Sequence, residues 1–313
     1  MIHQLFSTRS AQVLGIEMRE DGLALALASK NALSQQPAEL DFLPGSVPGI
    51  PTNALKHWVE ARQCVRADCH LVLNSSDYQL LLVEAPDVPE EELSDALRWR
   101  LRDLLNISPD QATVDYFFLP EDGSKSQTKM CYVVAADTDR IQLLVDWIGQ
   151  SGLTLRSIDI GELALSQLNR VIAANDGFSE SSRARVMVRV AAGAGEILIF
   201  RQNLLYLARS FSLGYLGGEK DPLPVEQLVL EIQRSIDYFE RQMGQTPPIS
   251  IDLCGTYLND KKINDEMKSA FSIALRVIEM DAIWPSSDQV EQNLIQSCAG
   301  AIGVLFKPGD KTA

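Results

Sequence analysis

Two short stretches carry acidic or small residues at the ends of strand-like runs, where a phosphate and its cation could be held. They are Gly15-Ile16-Glu17-Met18-Arg19 and Val188-Arg189-Val190-Ala191-Ala192-Gly193-Ala194-Gly195. Glycine N–H groups in such turns cradle phosphate oxygens, and an Asp at the strand end binds Mg²⁺ or its water. Neither stretch supplies the full set. Glu17 keeps a carboxylate one methylene further out, but Met18 and Arg19 stand where small residues would admit a phosphate. In the second stretch Arg189 takes the acidic position, and Gly193 and Gly195 are displaced along the loop. That cluster of small residues also serves a tight hairpin with no ligand at all. Losing the acid removes a metal ligand, so Mg²⁺-dependent phosphoryl transfer lacks one of its parts.

Other reactive types are sparse. Cys64, Cys69, Cys131, Cys254 and Cys298 follow no framework spacing, as for reduced thiols. Cys69-His70 near Cys64 has no second Cys/His pair to close a zinc site, so no metal site is expected. No Gly-x-Ser-x-Gly occurs, and no catalytic residue can be named. Glu90-Glu91-Glu92 at a helix start is explained by the helix dipole and solvation.

The elements that must position these residues alternate between strands and helices. Val13–Met18 and Leu23–Ala28 form a hairpin across Arg19-Glu20-Asp21-Gly22, followed by an extended run at Ala38–Leu43. Strands are expected at Leu71–Leu73, Gln79–Glu84, Val114–Leu119, Met130–Ala135 and Leu155–Ile160. Asp87 is expected to cap a helix with Leu93, Leu97, Leu101 and Leu104 on its apolar face. Helices follow around Ile141–Ile148 and Glu162–Ala174. The polar run Ala174–Ser182 is the expected domain boundary. Beyond it the opening pattern returns. Val186–Val190, Glu196–Phe200 and Leu204–Ala208 are strands, Glu226–Met243 is a helix, Ile249–Leu253 and Ala274–Glu279 are strands, and Asn293–Leu305 is a closing helix. Each half thus begins with a β-hairpin and a third strand, an architecture that places a ligand cleft between two lobes.

The chain has 313 residues, 46% of them apolar and 22% charged, a globular composition with room for about two domains. Its net charge of −14 disfavours nucleic acid. No apolar run is long enough to span a bilayer and the N-terminus lacks a secretory core, so a cytoplasmic setting is expected. The charge is uneven. Residues 1–180 hold 14 Lys and Arg against 26 Asp and Glu, a net of −12, which leaves −2 for residues 181–313. Surplus carboxylate keeps a surface soluble, and it also suits a basic partner.

From Glu84 onward the motifs resemble those of a known family. Ala85-Pro86-Asp87-Val88-Pro89-Glu90-Glu91-Glu92-Leu93, then Ala96-Leu97-Arg98-Trp99 and Val114-Asp115-Tyr116, are similar to the PilM family of type IV pilus assembly proteins. Val133-Val134-Ala135-Ala136, Ser151-Gly152-Leu153 and Ile158-Asp159-Ile160-Gly161-Glu162-Leu163-Ala164-Leu165 continue the resemblance in order, as do Glu231–Phe239 and Leu253-Cys254-Gly255. Within the family the chain looks closest to the MshI branch, which serves mannose-sensitive haemagglutinin pili.

The resemblance implies an α/β, two-lobed actin-like (FtsA-like) ATPase fold with lobes at 1–180 and 181–313. A small α+β insertion at about 80–136 would interrupt the first. It also implies a place at the cytoplasmic face of the bacterial inner membrane, ATP in the interlobe cleft, and a grip on the cytoplasmic N-terminal tail of a bitopic pilus protein, PilN. The family's Ile-Asp-Ile-Gly stands here as Ile16-Glu17-Met18-Arg19, its second Asp-Ile-Gly as Arg189-Val190-Ala191, and its Gly-Gly as Gly255-Thr256. The expectation is therefore an adaptor whose nucleotide site (Glu17, Arg19, Gly193, Gly195, Gly255 and Thr256) is degenerate, with no cofactor. The alternative, an active actin-like ATPase holding ATP and Mg²⁺, needs Glu17 to replace Asp. Cytoplasmic flanks of membrane spans are rich in Lys and Arg. The tail is accordingly expected on the acidic first lobe, at Glu84, Asp87, Glu90, Glu91, Glu92 and Asp95.

Overall fold

Alternation along the first hairpin decides what each sheet face meets. The computed structural model describes residues 11–30, 39–45, 53–125, 128–175, 182–215, 222–256, 258, 261–280 and 292–306. Strands β1 (Gln12–Arg19) and β2 (Gly22–Ser29) pair antiparallel and close at Arg19 opposite Gly22. Leu14, Ile16, Met18, Leu23, Leu25 and Leu27 point to one face. There they pack on Leu55, Trp58 and Val59 of α1 (Ala54–Ala61) and Leu144, Trp147 and Ile148 of α3 (Thr138–Gln150). The intervening positions, Val13, Ala24, Ala26 and Ala28, belong to the core shared with the second half of the chain. Small residues there let helices come close: a side chain at Gly15 would run into the carbonyl of Ala301. Glu17 lies on this inner face, so the strand period itself carries it to the middle of the molecule.

The first sheet has the order β3-β2-β1-β4-β8, adding β3 (Glu39–Pro44), β4 (Asp68–Val72) and β8 (Thr154–Asp159). The second runs β11-β10-β9-β12-β13, built from β9 (Arg185–Ala191), β10 (Ala194–Arg201), β11 (Leu204–Ser212), β12 (Ser250–Gly255) and β13 (Ala274–Val277). Both sheets follow one plan, an antiparallel three-strand meander with two parallel strands beside its first strand. Between them lie α4 (Gly161–Asn175) and the short α7 (Gln292–Ser297) and α8 (Ala299–Gly303). Helix α5 (Val225–Arg241) buries Leu228, Ile232 and Phe239 in the same core.

A third sheet, β5-β7-β6, is inserted into the first lobe from β5 (Tyr78–Glu84), β6 (Ala112–Phe118) and β7 (Met130–Asp137). One face packs on Leu93, Leu97 and Leu101 of α2 (Glu90–Arg100) and its C-cap. The other, with Tyr132, Leu80, Leu82 and Phe117, joins the second-lobe core.

Several local expectations are corrected. Asp87 does not cap α2; the N-cap is Pro89, without a side-chain bond. A proline holds the residue before it extended, so the helix begins only after Pro89. Leu93, Leu97 and Leu101 are buried as expected, but Leu104 is 59% exposed, because α2 ends at Arg100 and the chain turns there. The closing helix is broken at Cys298, whose N–H is shared between the carbonyls of Leu294 and Ile295. Helices α1 and α6 (Lys261–Ala270) were not anticipated from periodicity. Of the expected boundary run 174–182, residues 176–181 lie outside the described residues. No described helix is long and apolar enough to cross a membrane.

Candidate functional site

The hairpin register makes Glu17 and Arg189 counterparts, each two residues before the pair that closes its turn, Arg19–Gly22 in one lobe and Ala191–Ala194 in the other. The two turns meet, and Glu17 and Arg189 form an ion pair from lobe to lobe. Both are almost fully buried, at 3% and 4% exposure. The same Arg189 Nη1 donates to Glu196 Oε2 at 3.1 Å. Glu196 sits directly opposite Arg189 on β10, a cross-strand pair of opposite charge. A third carboxylate closes the group: Glu162 of α4 accepts from Tyr78 Oη at 2.6 Å and from Ser210 Oγ at 2.9 Å.

Two buried carboxylates thus hold one guanidinium, and the third, Glu162, bears on Glu196. Burial pushes the Glu196 carboxyl up, and Glu162 and Glu17 push it further against the pull of Arg189, to about 7. Burial works against the charge of Arg189 too, but Glu17 and Glu196 outweigh it and hold the guanidinium more firmly protonated. Tyr78 is raised by burial and by Glu162 and Glu196. Cys254 and Cys298, both buried here, are raised to about 12 and stay thiols at neutral pH. Small residues set the spacing. A Cβ at Gly300 would lie 2.5 Å from the Glu17 carboxyl carbon, and one at Gly161 would lie 2.5 Å from Glu196 Oε1.

The cavity beside the pair is lined by Glu17, Arg19, Asn74, Tyr78, Arg189 and Glu196 among others, and has a volume of about 40 Å³. That is room for a few waters, each needing ~10–15 Å³, against ~300 Å³ or more for a ligand pocket. Glu17 Oε2 and Arg189 Nη2 have no hydrogen-bond partner among the described residues, which suits such a water. As arranged, these residues do not fit a nucleotide and its magnesium, since a guanidinium fills the centre.

The other expected nucleotide residues are bonded within the protein. Arg19 donates to Asp21 and, through Nη1, to the carbonyl of Ser297 at 2.8 Å. Gly193, at φ 78°, donates its N–H to Tyr215 and accepts from Leu213. A side chain at Gly195 would enter the Phe211 ring. The Gly255 N–H donates to Gln296 Oε1 at 2.9 Å, and the Thr256 carbonyl accepts from Tyr215 Oη at 3.2 Å. Glu17 and Arg19 line the cavity with Arg189; Gly255 and Thr256 do not. Glu162, Glu196, Tyr78 and Ser210 were not named from the sequence. Glu196 was accessible from the hairpin register alone; the others come from distant segments.

A second, larger concavity lies where β5 runs into α2. It has a volume of about 400 Å³, with Val88, Leu93 and Phe118 as apolar lining and Asp87, Glu90 and Lys129 as charged lining. Lys129 Nζ sits 3.4 Å from the centre of the Phe118 ring. Of the carboxylates expected to meet a partner, Asp87 and Glu90 line this groove, and Glu84 is next to it through a 3.2 Å bond from Thr128 Oγ1. Glu91, Glu92 and Asp95 are exposed on α2 without lining it.

No protein-family model matches the chain, and no curated protein sequence matches it. Solved structures do. A PilM–PilN type IV pilus biogenesis complex is similar with a TM-score of 0.70 and 16% identity, over 95% of this chain and 98% of that chain. A Bacteroides thetaiotaomicron protein with an actin-like ATPase fold gives 0.52 and 15%, over 89% and 94%. The cytoplasmic domain of EpsL, an inner-membrane component of the Vibrio cholerae type II secretion system, gives 0.51 and 13%, over 92% and 94%. At such identities the likeness is one of fold, and this chain has the two-lobed actin-like fold.

Proposed function

We propose that this chain is an adaptor of a type IV pilus assembly machine, of the mannose-sensitive haemagglutinin type. It would hold the basic cytoplasmic tail of a PilN-like bitopic protein at the inner membrane, with its lobes closed by side chains in place of a nucleotide. One observation carries this reading: the buried Glu17–Arg189–Glu196 group joins the lobes where a phosphate and its cation would have to enter. The 400 Å³ groove at the head of α2, apolar within and acidic at Asp87 and Glu90, supplies the matching site for a tail of Lys, Arg and apolar residues. The fold shared with the PilM–PilN complex supports the choice of machine.

Calorimetry of the full chain tests both halves of the proposal. ATP with Mg²⁺ is expected to give no binding heat, whereas synthetic N-terminal tails of bitopic pilus proteins bind the wild type and bind Asp87→Lys/Glu90→Lys at least about tenfold more weakly. Tight ATP binding with turnover would replace the adaptor by the ATPase.

A further inference from the structure

The junction where the two hairpin turns meet gathers buried acids from both halves of the chain. From the first half come Glu17 on β1 and Glu162 at the start of α4, and from the second Arg189 on β9 and Glu196 on β10. Glu17 pairs with Arg189, and Glu162 accepts from Ser210 Oγ of β11 at 2.9 Å, so both first-half acids bond across the junction. Glu196 bonds within its own half, to Arg189 at 3.1 Å. The other titratable groups that face it are few. Arg19 and Asp21 pair with each other, Glu20 lines the adjoining cavity, Tyr78 donates to Glu162, and Cys254 and Cys298 remain thiols.

We propose that Glu196 is a proton-controlled latch, which holds the lobes together while protonated and lets them part at this junction when it ionises. The charge balance across the junction gives the reason. With Glu196 neutral, Glu17 and Glu162 on one side face the uncancelled guanidinium of Arg189 on the other. With Glu196 ionised, Arg189 and Glu196 cancel within their own half, and the same two carboxylates face no net charge. Attraction across the junction then falls, and Glu196 is itself repelled by Glu17 and Glu162. All four side chains sit in residues at most 7% exposed, so salt screens them little. Burial first, then Glu162 and Glu17 against the pull of Arg189, raise the proton loss of Glu196 to about 7, where modest changes of acidity turn the latch. Parting needs no new space. The cavity beside the pair already has room for water at Glu17 Oε2 and Arg189 Nη2, which have no partner among the described residues. The latch works without a tail or a nucleotide, and neither enters its test.

Hydrogen exchange of the full chain, followed amide by amide and corrected for intrinsic rates, reads the latch at Ala208. This β11 amide donates to Tyr132 Oη of the first half at 2.9 Å, close to Ser210. Its protection is expected to fall about fivefold from about pH 6 to about pH 8, one linked proton allowing at most about tenfold. Glu196→Gln should abolish the fall, and Glu162→Gln should move it to lower pH by relieving Glu196 of a neighbouring charge. Low urea should hardly change Ala208 exchange while accelerating that of Ile251, buried on β12 inside the second sheet. Parting exposes little surface, whereas unfolding exposes nearly all of it. The proposal is overturned by protection that is flat with pH, or by a fall that persists in Glu196→Gln or keeps its midpoint in Glu162→Gln. Exchange at Ala208 as urea-sensitive as that at Ile251 would also overturn it, because the junction would then open only when the whole chain unfolds.

Discussion

Arg189 shows how one residue type redirects a site. A guanidinium taken out of water is costly unless charge and hydrogen bonds compensate it, and Glu17 and Glu196 do so from both lobes. The compensation leaves surplus acid, because Glu162 also faces the group and Tyr78 adds only a neutral hydroxyl. Glu196 therefore keeps its proton to about pH 7 in the folded chain, against an ordinary value of 4.5. The sign of the linkage follows. Between those values the folded state binds more protons than the unfolded one, so stability falls as pH rises from about 4.5 to 7. In Glu196→Gln that loss is expected to shrink, since the amide is neutral throughout. Urea unfolding at several pH values reads it; identical pH slopes in the two proteins would sink the account.

At the scale of elements, the inserted sheet acts as a bridge. Strand β11 is the edge of the second-lobe sheet, and an open edge invites pairing with other chains. Tyr132 of β7 covers it: its hydroxyl accepts from the Ala208 N–H at 2.9 Å, and its ring stacks on Phe117 at 5.3 Å. Further along, Asp122 pairs with Arg201 and accepts from Tyr206 Oη at 2.6 Å. Tyr132→Phe keeps the ring and leaves a buried N–H unpaired, a loss of about 1–3 kcal/mol in urea unfolding. A change within ±0.5 kcal/mol would mean that the bridge carries no strain-bearing contact there. These contacts were not legible beforehand. Strand periodicity marked both Met130–Ala135 and Leu204–Ala208 as strands, but period alone does not say which sheet a face will meet. Helix α1 shows Leu55, Trp58 and Val59 at helical spacing, but it is short and follows a Pro- and Gly-rich stretch that masks its period. Helix α6 shows only Ile263 and Met267 on an otherwise polar run.

For the whole molecule the charge division matters most. With −12 in residues 1–180 and −2 beyond, the field around the chain is lopsided. On the proposed function a basic tail would be steered to the first lobe, and its association rate constant should fall several-fold as salt rises from about 0.05 to 0.3 M, dissociation changing much less. Stopped-flow measurement with a labelled tail peptide distinguishes this from binding by apolar contact alone, which would leave association insensitive to salt.

The sequence by itself determined the duplicated strand plan, because hairpin turns and two-residue alternation act over neighbouring residues. Gly22-Leu-Ala-Leu-Ala-Leu-Ala-Ser29 already separates a large apolar face from a small one. It also determined that Glu17 and Arg189 stand where a phosphate site would need other residues. Only the tertiary structure decided that these two side chains neutralise each other. It likewise decided that Glu162 and Tyr78 complete the group, and that the Gly193 and Gly255 amides are already bonded. The reason is distance along the chain: Glu17 and Arg189 lie 172 residues apart, and no local pattern encodes a contact made only when two lobes close on each other.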